Sequence, residues 1–431
     1  MEALDNKIQE SKELIGTKIP CTLEVLTPVH IGSGVKLSNG IDFLSDRNST
    51  TIVTQAELMK YLEDNPEELD AFTAGGYKLS SLKRCPPGFT FSIQNTRIFE
   101  IFEFEKDGNG NPYIPGSSLK GAIRTIIIKN LFEQLLPEKQ SALLSSIQNS
   151  RVYKEGAADS LVKELLGNDS NHNLMRMIQV FDITFSSTDI SKVFLLSLTN
   201  SDSTSYGWKK FAKGMPNVSL KDNPTALIIE SLPIGAKSNF SFHIDDFLSK
   251  NELAKKTLKF KIINVAELSA LINNHSKIAL IKERDFFSKI NSSKTLTAVT
   301  TEIDNLLALI PKPGSPEESK EFVIRISWGA GWKGMTGDFI NNNWIDIIRK
   351  KYQQGKVDRD GNILHPAFPK TRKIVFDGDT PKYLTGWVKI KLNDRIINKK
   401  KQNTIVVPKI DDSDWAAKLG QNYKIRQNKK K

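Results

Sequence analysis

A strand that runs directly into a helix is the feature that most constrains this chain. Residues 113–136 read YIPGSSLKGAIRTIIIKNLFEQLL, where Pro115 and Gly116 close an extended segment. Ser117 or Ser118 can cap the helix that follows. Apolar residues then recur at helical spacing, at Leu119, Ile123, Ile126, Ile127, Leu131 and Leu135. The chain therefore mixes both kinds of element, and we predict an α+β fold.

Strand patterns also occupy much of the remaining sequence. Residues 19–31 form a strand that Pro28 ends or bends, which places His30 at its exit. Residues 89–104 alternate as one long strand, and the turn DGNGN follows at 107–111. Further strands are predicted in 175–200, 225–245, 322–327, 371–377 and 383–392, and helices in 137–167, 246–310 and 338–352.

The length of 431 residues favours two domains. The two halves share a coarse plan, in which a strand leads into a glycine loop and then into a helix that begins with small residues. We expect two α+β domains, in residues 1–245 and 246–392, with helical insertions.

Positive charge is concentrated at the end of the chain. The net charge is +12, and the segment 391–431 carries eight of these charges, with twelve basic and four acidic residues. We expect residues 393–431 to be a basic, flexible tail. Only about +4 remains on residues 1–390, so a nucleic-acid site in the body must come from local clusters.

The remaining composition excludes several classes of protein. Cys21 and Cys85 are the only cysteines, and their spacing indicates neither a disulfide framework nor a zinc site. The N-terminal residues lack the apolar core of a signal peptide, and no apolar run reaches the ~18 residues of a membrane span. We expect a cytoplasmic protein with no metal, no cofactor and no membrane partner.

One cluster of small and basic residues lies at the start of the predicted helix. The helix dipole attracts phosphate there, and the hydroxyls of Ser117 and Ser118 can donate hydrogen bonds. Lys120 and Arg124 are four residues apart and share a helix face. This assembly suits an RNA backbone, although an ordinary capped helix with solvated cations would have the same residues.

A second cluster follows the first strand. His30 stands next to Gly32, Ser33, Gly34 and Lys36. A histidine with a pKa near neutrality can act as a general acid or base in RNA cleavage. No second catalytic group accompanies it, so we favour a structural or RNA-contacting histidine over a catalytic one.

A third cluster is the glycine-rich loop after the strand 322–327. Its tryptophans, Trp328 and Trp332, could stack on unpaired bases or pack beneath the loop. The loop also contains Gly329, Gly331, Lys333, Gly334 and Thr336. The glycine spacing resembles a dinucleotide fingerprint, but no acidic residue that ends a strand follows at the required distance. Arg372 and Lys373 belong to a basic run that leads into a later strand.

Four segments together resemble one known family. They are TPVHIGSG, YIPGSSLKGAIR, SWGAGWKGMTG, and FPKTRK followed by LTGWVKIKL, and they bracket residues 27–392. In order and separation they are similar to the RAMP superfamily of CRISPR systems and, within it, to the Csm5-like subunits of type III-A (Csm) effector complexes.

The resemblance implies a fold, a role and partners. It implies two ferredoxin-like (RRM-like) domains whose glycine-rich loops grip a guide RNA. It implies a non-catalytic subunit, at the end of the complex that holds the 3′ portion of the guide, which assists guide maturation. The implied partners are the guide RNA, the neighbouring backbone RAMP subunit and other Csm subunits, with target RNA and host nucleases as further candidates. Two alternatives stay open: a metal-independent endoribonuclease that uses His30, and a protein adaptor that docks through the basic tail.

Overall fold

The computed structural model describes residues 18–393 with short gaps. The gaps are residues 47, 93–97, 150–155, 157, 170–171, 200–202, 212–216, 246–264, 291–293, 327, 337, 341 and 356. The predicted basic tail beyond residue 393 and the first part of the predicted helical segment 246–310 lie outside the described residues.

Strands and helices follow one another along the whole described chain. The strands are β1 (Ile19–Val25), β2 (Gly32–Ser38), β3 (Phe43–Ser45), β4 (Ser49–Ile52), β5 (Phe89–Ser92), β6 (Glu100–Phe104), β7 (Tyr113–Ile114), β8 (Ile178–Val180), β9 (Ile183–Thr184), β10 (Asp189–Leu198), β11 (Tyr206–Trp208), β12 (Leu227–Ser231), β13 (Lys237–Ile244), β14 (Glu321–Arg325), β15 (Thr371–Asp377), β16 (Thr380–Leu384) and β17 (Trp387–Leu392). The helices are α1 (Gln55–Asp64), α2 (Pro66–Ala74), α3 (Gly116–Glu133), α4 (Pro137–Asn149), α5 (Asp159–Leu166), α6 (Val265–Ile290), α7 (Thr297–Ala308), α8 (Gly331–Thr336) and α9 (Asn342–Tyr352). The mixed content confirms the coarse α+β prediction, whereas two ferredoxin-like domains stay a prediction.

The first sheet is built around β1, in the order β14-β17-β1-β13-β8. Alternate residues of β1, Cys21, Leu23 and Val25, are buried, as expected for a strand with one face on the core. Leu23 pairs with a residue of β13 on one side and of β17 on the other. Strands from both predicted domain ranges therefore lie side by side, and the boundary at residues 245 and 246 stays a prediction.

The second sheet has the order β16-β15-β10-β12-β6-β2, with β11 paired to β10. Its pairs are antiparallel except for β12 and β6, which run parallel. β15 occupies the range predicted for it, 371–377. Two smaller sheets, β3-β4-β5 and β7-β9, complete the described strands.

Helix α3 packs its apolar stripe into the main core, together with the first sheet. Leu119, Ile123 and Ile127 are fully buried, and each such side chain contributes about 1.5–3 kcal/mol relative to an exposed one. The helix was predicted from the spacing of these residues, and it begins at Gly116 as expected. The predicted cap was wrong, because neither Ser117 nor Ser118 caps the helix through its side chain.

The acceptor at the start of α3 comes from a distant segment. The Gly116 N–H donates to the carboxylate of Asp182 at 2.7 Å, and the Ser118 N–H donates to the Pro115 carbonyl at 2.9 Å. Gly116 also lies so close to the Val180 carbonyl that a Cβ atom would collide with it. The junction therefore requires glycine at 116 and an acidic group from the chain that follows β8.

Two predicted strands are each divided in two by the fold. The range 89–104 contains β5 and β6, which lie in different sheets. The range 383–392 contains the end of β16 and all of β17, which also lie in different sheets. The second break falls at Gly386, whose positive φ of 91° turns the chain and whose N–H donates to the Pro28 carbonyl. Alternation continues across both breaks, so it could not reveal them.

Other local features follow the sequence expectations. Asp107 accepts hydrogen bonds from the N–H groups of Asn109 and Asn111, which closes the predicted turn. Cys21 is buried and Cys85 exposed, and both are free thiols. Within the described ranges, no helix is long and apolar enough to span a bilayer.

Candidate nucleic-acid interface

Helix α3 presents a cationic stripe on its outer face. Ser117, Gly121 and Arg124 are exposed and Lys120 is half-buried. In the part of the chain that the structure describes, neither cation of this stripe has an ion-pair partner. Burial lowers the pKa of Lys120. Nothing lies within 4 Å of a Cβ atom built on Gly121, so the backbone is open to a ligand at that point.

The helix end itself is less available than the side chains. Its first N–H is satisfied by Asp182, whose negative charge also opposes a phosphate at this position. The stripe therefore offers a ligand its cationic side chains and the open backbone at Gly121. The first amide of the helix is already hydrogen-bonded to Asp182.

The second glycine-rich loop contains a short helix, α8, which packs against α3. Lys333 and Gly334 from this loop and Ala122 from α3 line a shared cavity of about 70 Å³. The ammonium of Lys333 lies 3.4 Å from the carboxylate of Asp338, which also pairs with Lys282 at 2.6 Å. The two predicted clusters are thus adjacent, but Lys333 already has an acidic partner.

Gly329 fixes the path of the chain into this loop. Its φ is 135°, and a Cβ atom would collide with the Thr385 hydroxyl. Arg325 donates to the Gly329 carbonyl at 3.1 Å and to the Thr385 carbonyl at 2.9 Å. Burial lowers the pKa of Arg325 to about 10. This arginine therefore ties the loop to the connection between β16 and β17.

Trp328 is the point where the His30 cluster, the second glycine-rich loop and the basic run that contains Lys373 meet. The His30 ring packs edge-on against it, with ring centroids 5.4 Å apart. The Lys373 ammonium lies 3.5 Å from the centroid of the Trp328 ring. Burial, with a smaller effect from Arg325, lowers the pKa of Lys373 to about 8. In the described residues, Lys373 has no ion pair.

Both loop tryptophans pack against protein rings. Trp328 also faces Phe102 at 6.2 Å, and Trp332 packs edge-on against Phe368 at 5.1 Å. Both indoles are half-buried. The Thr336 hydroxyl donates to the Trp332 carbonyl, while Gly331 has a φ of 68° and open space around it. The packing alternative accounts for these contacts, and base stacking stays a prediction.

His30 is buried, and this limits any chemistry it could perform. Its Nδ1 lies 2.6 Å from the Glu230 carbonyl, and a Cβ atom on Gly32 would lie 3.1 Å from its Nε2. Burial lowers its pKa, an effect that the Glu230 carbonyl partly offsets and Lys373 reinforces. The ring is a packed, hydrogen-bonded part of the junction between β1 and β2.

The first glycine segment belongs to a strand and not to a free loop. Gly32, Ser33 and Gly34 begin β2, whose pairing with β6 is irregular between Gly32 and Lys36. The Ser33 hydroxyl donates to Glu103 and the Lys36 ammonium to Glu100, each at 2.9 Å. Both predicted contacts therefore have carboxylate partners here.

Arg372 lies apart from the cationic stripe, in a buried ion pair. Its Nε lies 2.5 Å from the Glu283 carboxylate, and both side chains are nearly buried. The guanidinium also stacks on Phe286 at 4.0 Å and donates to the Pro369 carbonyl. Arg372 is thus held in an ion pair, whereas its neighbour Lys373 has no ion pair in the described residues and lies over the Trp328 ring.

The residues that organise this surface could not be predicted from the sequence. Asp182, Arg325, Thr385 and Glu230 hold the helix start, the second loop and His30. Each of these residues either contacts a segment that is distant along the chain or acts through a backbone group. The spacing of residues along the sequence therefore does not predict their contacts. Among the described residues, no group of three His, Cys, Asp or Glu side chains could hold a metal ion.

The fold and this surface define an α+β protein whose glycine-rich junctions flank unpaired lysine and arginine side chains. The chain belongs to the RAMP superfamily, whose family model matches residues 22–271. Two curated relatives are called CRISPR system Cms protein Csm5. The one from Streptococcus thermophilus is 40% identical over 132 residues, covering 25% of this chain and 37% of the relative. The one from Methanocaldococcus jannaschii is 24% identical over 191 residues, covering 39% of this chain and 43% of the relative.

The chain thus spans less than half the length of each of these curated relatives. A solved chain from the cryo-EM structure of a Csm–crRNA–target RNA ternary complex of a type III-A CRISPR-Cas system has a similar fold. The TM-score is 0.58 at 21% identity, and the match covers 87% of this chain and 100% of that one.

Proposed function

We propose that this chain is a non-catalytic, guide-RNA-binding subunit of a type III-A CRISPR effector complex. In this proposal it corresponds to Csm5, caps the end of the complex that holds the 3′ portion of the guide, and assists guide maturation and assembly. Membership of the RAMP superfamily, the names of the curated relatives and the fold shared with a Csm-complex chain support it.

The observation that carries RNA binding is the set of cations without acidic partners in the described residues. Lys120 and Arg124 lie along the outer face of α3, and Lys373 lies on Trp328. Unpaired cations beside exposed glycine backbone suit a sugar-phosphate chain, because they add charge without a carboxylate to displace.

The surroundings of His30 favour this proposal over the endoribonuclease alternative. A general acid or base must reach the proton that it transfers. The imidazole is buried and bonded to the Glu230 carbonyl. Purified protein incubated with repeat RNA in EDTA is expected to leave the RNA intact. Site-specific cleavage that His30→Ala abolishes would establish the enzyme instead.

Crosslinking tests RNA binding directly. Guide RNA with 4-thiouridine at successive positions is assembled with this chain and the other Csm subunits, irradiated and digested. Crosslinked peptides are expected from residues 117–124 and 328–336. Crosslinks concentrated elsewhere in the chain would contradict the proposed surface. Deleting residues 393–431 tests the adaptor alternative, which predicts lost assembly with an unchanged crosslinking pattern in the body.

A further inference from the structure

Exposed apolar side chains are concentrated in the segment between β2 and β6. Ile41, Tyr77 and Phe89 are 52%, 65% and 57% exposed and line one groove of about 490 Å³. Leu37 and Phe91 also line it. Apolar patches of this kind on soluble proteins mark surfaces that bind other molecules.

Tyr77 stands in this groove at a conformational cost. Its φ of 61° is in the left-handed region, where a bulky side chain is an outlier. Its N–H donates to the Phe72 carbonyl at 2.9 Å, and its ring packs edge-on against the Phe72 ring at 5.6 Å. The backbone thus holds a mostly exposed aromatic ring in a fixed place, and such strain persists where a function uses it.

The charge around the groove is negative. Its charged lining consists of three acidic residues and Lys106, which pairs with Glu103 and Glu230. The adjacent helices α1 and α2 contribute four exposed acidic residues, Glu63, Asp64, Glu67 and Asp70. The exposed basic residues nearby are Lys60, Lys78, Lys83 and Arg84, so the negative balance comes from these acidic residues together with the acidic lining of the groove. An RNA backbone would be repelled by this field, whereas a basic polypeptide would be attracted.

We infer that this groove docks a polypeptide segment that places an apolar anchor next to Lys or Arg, supplied by another protein subunit of the effector complex. The identity of that assembly rests on the proposed function. Aromatic anchors in the centre with charges around them are the usual arrangement of protein interfaces.

Tyr77→Gly is the sharpest test, because it removes the ring and relieves the left-handed backbone. The thermal midpoint is therefore expected to stay within a few degrees of the parent value, since glycine adopts this φ freely. Each remaining recombinant Csm subunit is titrated in turn onto the labelled chain. We expect affinity for one of them to fall at least tenfold, as for a truncated interface anchor.

Two further variants separate the possible outcomes. Leu364→Ser replaces another exposed apolar residue, 62% exposed, and should leave binding unchanged. Glu63→Lys combined with Glu67→Lys should weaken binding more at low salt than at high salt. If Tyr77→Gly binds every subunit as tightly as the parent does, this inference is overturned and the proposed function is not affected. Loss of guide-RNA binding by Tyr77→Gly, with subunit binding intact, assigns the groove to RNA. A parent chain that binds no Csm subunit overturns both this inference and the proposed function.

Discussion

Lys373 provides the strongest test of RNA binding, because its charge should vanish within an accessible pH range. Burial beside Arg325 lowers its pKa to about 8, and in the described residues no carboxylate pairs with it. A phosphate that contacts this ammonium would supply the missing negative charge. Its pKa in the complex should therefore return toward the ordinary value of about 10.4.

The sign and size of the effect follow from this difference. Between the two pKa values the complex holds more protons than the free protein, so binding takes up a proton and weakens as pH rises. With a free pKa of about 8 and a bound value near 10.4, affinity should fall roughly 25-fold between pH 7 and pH 9.5.

The assay is fluorescence anisotropy with labelled guide RNA at fixed ionic strength, in short incubations with intact RNA verified on a gel. Lys373→Met should bind more weakly at pH 7 and should lose most of the dependence on pH. Burial also lowers the pKa of Lys120. Lys120 contributes equally to the pH dependence of the parent and of this variant, so subtracting one dependence from the other removes its contribution.

Lys382→Met is the matched control, because it removes a lysine that pairs with Asp377 at 2.8 Å on the same sheet. Asp377 raises the pKa of Lys382, so this lysine stays charged throughout the titration. Its loss should leave the pH dependence in place. A parent protein whose affinity is flat from pH 7 to 9.5, or a Lys373→Met variant with the full dependence, would refute the assignment of a phosphate to Lys373.

Three further predictions concern the same surface. Lys120→Ala combined with Arg124→Ala should weaken RNA binding similarly for all sequences and lower the salt slope by about one to two units, and an unchanged slope in KCl titrations would contradict phosphate contact there. Gly329→Ala should cost about 1–3 kcal/mol in urea unfolding, because its φ is 135° and a methyl group would meet Thr385; Gly121→Ala, in open space, is the control and should not destabilise. Asp182→Ala should cost about 0.5–2 kcal/mol by removing the acceptor at the start of α3; an equal thermal midpoint for variant and parent would show that this hydrogen bond contributes nothing net.

The elements that the sequence predicts well are those whose pattern is local. Helix α3 follows from apolar residues at helical spacing, and β15 follows from a short run bounded by turn residues. The breaks within 89–104 and 383–392 could not be predicted in this way. Whether an alternating run stays in one sheet or crosses to another depends on which distant strands pair with it.

The same limit applies to the cap of α3. A serine at the start of a helix is a good cap by type, but Asp182, 66 residues from Gly116, takes that role. The tertiary pairing of β7 with β9, and of β8 with β13, brings this carboxylate to the helix end. Composition and spacing therefore locate the helix correctly and assign its first hydrogen bond to the wrong residue.

The sequence gives no reason to distinguish one basic residue of the candidate surface from another. In the fold they differ, because some have acidic partners and others have none. Lys36 and Lys333 pair with Glu100 and Asp338, so a phosphate must compete with a carboxylate for each. Arg372 is committed further, because breaking a buried ion pair costs about 3–5 kcal/mol, more than the 1.5–3 kcal/mol of a typical charged hydrogen bond. RNA should therefore bind along the unpaired cations of α3 and over Lys373, where no ion pair has to be broken. It should leave the Arg372–Glu283 pair intact.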